Sequence, residues 1–249
     1  MAVDKRYVRA LAVATVALAY AGRGVGFIAT DPRWGVGDAV FAATLLAIAV
    51  ALARGSRSVR FLAVGLVGAE LLQWLNLLGL LLLVHELPPD GETWLASSST
   101  FALACAAAVV ACWTWPEVGA RRHPIALVLA GVALGAALRF STAPGLAPLS
   151  SALALGGSLG LVVGTLGISS GRTWGLLLLL PSALLVWFGV GGAPDVIVHR
   201  GSHPWFPGPS FVKIQNAGKA SVVVALATVG IYAVPIVRYL RSSAPQGRS

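Results

Sequence analysis

The chain has 249 residues, of which 57% are hydrophobic and 11% charged, and its 18 basic against 9 acidic residues give a formal charge of +9. A soluble domain carries about a quarter of its residues as charges, so this composition excludes a soluble enzyme, a disordered tail and a disulfide-stapled secreted module. What is left is an all-α, polytopic integral membrane helix bundle. Its basic residues form short clusters between apolar runs, a topogenic pattern rather than a nucleic-acid-binding face.

Eight apolar segments lie at about 8–29, 36–53, 59–84, 94–115, 124–140, 149–168, 173–190 and 218–240. Each is near the roughly 20 residues that cross a hydrocarbon core. They are rich in Leu, Ala, Val and Gly and lack the alternation of barrel strands, which predicts about eight transmembrane helices in one membrane domain. Lys5, Arg6, Arg9, Arg54, Arg57, Arg60, Arg121, Arg122, Arg172, Arg238, Arg241 and Arg248 fall on one side of such a bundle. Arg33, Arg139, Arg200, Lys213 and Lys219 fall on the other. The bias puts both termini in the cytoplasm and the protein in the plasma (inner) membrane.

The first segment opens after Lys5, Arg6 and Arg9, and its Ala17-Leu18-Ala19 also fits the end of a cleaved signal peptide. The apolar run continues over 24–29, so a retained helix is expected. Arg23 lies within it, and Asp38, close to the outer edge of the second segment, is its expected partner ahead of Glu70. The third segment carries Glu70, Gln73 and Asn76 at i, i+3 and i+6, roughly a 120° arc at 100° per residue. This predicts a polar stripe with a titratable acid at mid-span, able to bind a cation, relay a proton or anchor a substrate. The alternative is a structural hydrogen-bonded network between helices.

In the fourth segment Cys105 and Cys112 are two turns apart, roughly 10 Å, too far to bridge one another, and read as small packing residues. Gly22/Gly26, Gly131/Gly135 and Gly156/Gly160/Gly164 recur at four-residue spacing in the first, fifth and sixth segments, predicting close helix packing or a homo-oligomer seam. Arg139 reads as interfacial, and His123 as part of the basic cluster with Arg121 and Arg122. Pro181 and Pro235 predict kinks in the last two segments.

The external loop at about 191–217 carries Asp195, His199 and His203 every four residues, and His85 with Glu86 ends the third segment on the same side. Imidazoles beside carboxylates suit Cu, Zn or Fe. Gly201 and Pro204 interrupt the helix that would align them, and a Pro-rich loop with Trp205 and Phe206 at headgroup level is the competing reading. Two halves of four spans are hinted at only by the His, acid and Pro shared by the loops after the third and seventh segments.

The chain carries no P-loop and no HExxH motif. Two classes of function follow. The favoured one is a non-catalytic, transporter-like component or a subunit of a membrane complex, built on Glu70, Gln73, Asn76, Arg23 and Asp38. The other is a membrane enzyme or metal-handling protein built on His85, Glu86, Asp195, His199 and His203. The expected partners are the lipid bilayer and other membrane subunits or a second copy, with no nucleic acid.

Overall fold

The structure is a computed structural model that describes residues 4–29, 32–83, 91–113, 122–141, 148–191 and 209–243. Among these residues there are nine α-helices and no strand. They are α1 (Lys5–Ile28), α2 (Pro32–Ala53), α3 (Val59–Leu83), α4 (Gly91–Cys112), α5 (Arg122–Ser141), α6 (Pro148–Ser169), α7 (Gly175–Gly191), α8 (Pro209–Ile231) and α9 (Ala233–Ser243). Each of the eight apolar segments falls on a helix, and the eighth is divided at Tyr232.

Lys5–Ile28, Gly35–Ala53, Leu95–Cys112 and Pro148–Ser169 are long and apolar enough to cross a membrane. Lys219–Ile231 and Ala233–Ser242 reach that standard only together, across a 57° bend, while His123–Leu138 and Gly175–Gly191 are shorter apolar helices. The architecture is compatible with a helical membrane protein: among the described residues four helices, or five if the bent pair is one span, are long and apolar enough to cross.

Local chemistry explains the helix ends. Asp4 caps α1 by accepting from the backbone N–H of Arg6 at 3.0 Å. Pro32, Pro148 and Pro209 each open a helix, where the missing N–H has no partner to lose. The α2–α3 and α6–α7 turns share one device. Gly55 (φ 86°) and Gly171 (φ 77°) adopt the left-handed conformation just after the preceding helix. The N–H groups of Gly55 and Ser56 then bond back to the carbonyls of Leu52 and Ala51 at 2.9 and 3.0 Å. Those of Gly171 and Arg172 bond back to Ile168 and Gly167, both at 2.9 Å.

The helices assemble as two four-membered rings. In the first, α1 packs on α2 and α4, and α3 closes the circuit against both; in the second, α5 packs on α6 and α8, and α7 closes it. The rings join along α3 and α5, where the backbones nearly touch: a Cβ on Gly65 would overlap the Val128 carbonyl, and one on Gly131 the Leu62 carbonyl. Central α5 is buried on nearly all sides, through Ala126, Leu127, Ala130, Ala133, Leu134 and Ala137 among others.

Polarity runs inside out. Asp38, Glu70, Ser98, Ser158 and Thr165 are buried, while Leu11, Leu18 and Val25 on α1 and Leu103 and Val110 on α4 point outward. Such an exterior suits lipid, where apolar side chains meet apolar tails and polar groups find partners within the bundle.

Three packing expectations are refined. Gly131, Gly135, Gly160 and Gly164 sit in tight contacts, whereas Gly22, Gly26 and Gly156 meet nothing within 4 Å. On α6 the contact is made by Gly157, where a Cβ would lie 2.5 Å from the Ser182 carbonyl of α7. Pro181 lies inside a continuous α7, while the α8–α9 break falls just ahead of Pro235. The Pro235 ring crowds the carbonyl four residues back, that of Ile231, and cannot donate to it.

Candidate functional site

The first ring encloses a polar cluster drawn from four helices. α1 supplies Tyr20 and, one turn on, Arg23; α2 supplies Asp38 and Phe41; α3 supplies Glu70 and Trp74, also one turn apart; α4 supplies Phe101. Residues one turn apart stand above one another on a helix face, so α1, α2 and α3 each present two residues to the same interior.

Arg23 and Asp38 form a two-pronged ion pair, Nε to Oδ2 at 2.6 Å and Nη2 to Oδ1 at 2.5 Å. The Asp38 side chain is fully buried and that of Arg23 is 20% exposed. A glycine makes the pair possible. α1 and α2 approach until a Cβ on Gly24 would stand 3.1 Å from the Asp38 Cβ and 3.0 Å from the Gly35 carbonyl. The guanidinium also lies over three rings, 4.7 Å from the centroid of Tyr20, 5.1 Å from Trp74 and 5.3 Å from Phe101. Those rings pack on one another: Trp74 stacks on Phe101 at 4.7 Å, and Tyr20 meets Phe41 and Phe101 edge-on at 4.6 and 5.1 Å. The negative ring faces and the carboxylate together hold the cation in a site with little water.

Below this box lies Glu70, with no exposed surface. The Trp74 indole N–H donates to the Tyr20 hydroxyl at 2.7 Å, and the Tyr20 hydroxyl donates to Glu70 Oε2. The direction of this chain is fixed by chemistry. An indole nitrogen only donates, so the tyrosine oxygen accepts from it and its own proton points to the carboxyl. One turn before Phe101 on α4, at i−3, the hydroxyl of Ser98 is buried with no hydrogen-bond partner among the described residues.

Arg23 and Asp38 are thus brought together, with Glu70 one layer away. Gln73 is not in the cluster: it is exposed on α3, 100° round the helix from Trp74 and beyond the face that α1 and α4 cover. Asn76 lies on α3, but its side chain is outside the described residues, as are His85, Glu86, Asp195, His199 and His203. Among the described residues no three His, Cys, Asp or Glu side chains group as a metal site, and the buried Cys105 and Cys112 are in no disulfide. Sequence reasoning missed Tyr20, Trp74 and Phe101. The signal was present as spacing, since Trp74 follows Glu70 by four residues and Tyr20 precedes Arg23 by three.

A second polar contact joins the rim of α5 to the α8–α9 break, where His123 Nδ1 lies 3.1 Å from the Tyr232 hydroxyl. No family model matches the chain, and no curated protein or solved structure matches it.

Proposed function

We propose that the chain is an integral protein of the plasma (inner) membrane with eight spans and both termini in the cytoplasm. In this reading it is a non-catalytic, transporter-like component whose working site is the cluster of Tyr20, Arg23, Asp38, Glu70 and Trp74. Glu70 is the group that takes up and releases a proton or small cation. Trp74 and Tyr20 hold its carboxyl in place, and the Arg23–Asp38 pair sets the charge above it.

The observation that carries this reading is the complete burial of Glu70 inside a ring of apolar helices. An ionisable group kept at such depth is expensive, and those retained in membrane bundles face pathways or relays. Other membrane subunits, or a second copy, would approach at Gly22, Gly26 and Gly156, where the helix surface is open.

The test is electrical. Purified protein is reconstituted into liposomes, adsorbed on a sensor membrane and exposed to sudden steps of pH and of Na+. The wild type is expected to give a transient current on one of the two steps, and Glu70→Gln to abolish it while eluting as the same monodisperse species. No current on either step with the wild type, beyond that of protein-free liposomes, would reduce the cluster to a structural network.

A further inference from the structure

The C-terminal helix does not continue the line of the helix before it. α9 leaves α8 at 57°. The depth of this bend is marked by Tyr232, whose hydroxyl reaches His123, the second residue of α5. In the orientation proposed above, the basic Arg121-Arg122-His123 run that introduces the apolar part of α5 marks the cytoplasmic boundary. Tyr232 therefore lies at that boundary, and α9 begins where the hydrocarbon ends. With 23 residues, α8 extends about 34 Å at 1.5 Å per residue; its apolar part is 220–231, and Lys213 and Lys219 stand in its first half.

The surface of α9 divides into three faces. Pro235, Ile236 and Tyr239 are half-buried against the bundle. Val237 and Leu240, roughly 60° apart on the helix, are 46% and 51% exposed. Arg241 and then Arg238 follow on the far side of Val237, both exposed. Val234, 57% exposed, lies between the two arginines in the first turn. One face is thus held by protein, the next is apolar, and the third carries both arginines beside Val234.

We propose that α9 is an interfacial helix seated on the anionic cytoplasmic leaflet, with Val237 and Leu240 in the acyl boundary and Arg238 and Arg241 on lipid phosphates. In this proposal residues 233–240, read from the sequence as the end of the eighth span, lie at the membrane surface instead. Exposed valine and leucine at the water boundary are satisfied by lipid, and the adjacent arginines match the negative potential of that leaflet. A second copy fits less well, since pairing through this face would bring the arginines of both copies together. The proposal rests on the membrane reading given above.

The test uses the full chain in nanodiscs of phosphatidylcholine with one third phosphatidylglycerol. Single cysteines replace Val237, Leu240, Arg238, Arg241 or Leu103, and each carries a spin label; the wild type, whose own cysteines are buried, sets the labelling background. Collision with oxygen, which partitions into lipid, is compared with collision with a water-soluble nickel chelate. The expected pattern is oxygen preference at 237 and 240 and nickel preference at 238 and 241. The oxygen preference at 237 should be lost in pure phosphatidylcholine, and equally in R238Q/R241Q. Nickel preference at all four positions would put α9 in water, exclusion of both reagents at 237 and 240 would put protein over it, and oxygen preference at all four would make it a span; each overturns the proposal. A 237 signal indifferent to phosphatidylglycerol would overturn the anionic recognition. The Leu103→Cys label, on the outward face of α4, tests the membrane reading separately: nickel preference there would sink that reading whatever α9 does.

Discussion

Arg23 is a cation placed where apolar helices meet, and its surroundings replace the water it has lost with two oxygens of Asp38 and the faces of three rings. Removing the carboxylate leaves the cation to the ring faces alone, a loss that for a buried pair costs up to about 3–5 kcal/mol, whereas an apolar pair of similar volume is often neutral or better. Asp38→Ala is therefore expected to lower the unfolding midpoint in mixed micelles strongly, and the double variant Arg23→Met/Asp38→Leu to recover most of the loss. A double variant as unstable as the sum of its singles would show that the pair contributes more than mutual neutralisation. This pairing is legible in the sequence because two opposite charges stand near the same end of consecutive apolar segments. Tyr20 and Trp74 are not legible, because an aromatic residue in an apolar run counts as packing until its polar tip meets a partner. Gln73 is over-read for a related reason: i and i+3 lie within 60° on a helix, and the edge of the covered face falls between them.

Among the elements, the α6–α7 hairpin shows how narrow the margin of a helix contact is. Gly156 and Gly157 are adjacent in sequence but 100° apart round the helix, and only Gly157 faces α7. Gly157→Ala is expected to force the hairpin apart at a cost of about 1–3 kcal/mol. Gly156→Ala is expected to be neutral or stabilising by up to roughly 1 kcal/mol, since alanine is the better helix former. Thermal unfolding of the two purified variants side by side checks the contrast, and equal effects would refute the contact. The four-residue spacing of Gly156, Gly160 and Gly164 is present in the sequence, but so is the i, i+3, i+7 spacing of Gly157, Gly160 and Gly164. Both lie on one face of a 3.6-residue helix, and only the neighbouring helix chooses between them. The helices themselves were legible throughout, because an apolar run of twenty residues has one way to satisfy its backbone in lipid.

At the scale of the molecule, two rings of four helices share the α3–α5 seam. Each ring closes on itself, so the connection between α4 and α5 is topologically dispensable. Co-expression of the chain as two pieces, divided between Trp113 and Arg122, is expected to return both pieces in one complex. Gly65→Leu, which drives a side chain into the Val128 carbonyl, is expected to separate them. Pieces that fail to co-purify even with the natural glycine would show that the covalent link, and not the seam, holds the rings together. The sequence hinted at two halves only through resemblance between loops; the seam was hidden because it consists of small residues, which carry no pattern beyond their size.

The hydrogen-bond chain from Trp74 through Tyr20 to Glu70 has a final consequence for traffic through the first ring. A proton wire needs every member to be able both to give and to receive, and the indole nitrogen has no lone pair with which to receive. A proton hopping from Glu70 onto Tyr20 meets a dead end at Trp74. The indole acts as a one-way terminus, so this branch cannot conduct while the three residues hold their present arrangement. If Glu70 exchanges protons as proposed, passage along this branch would require the Trp74–Tyr20 bond to open first, through rotation of one of these side chains.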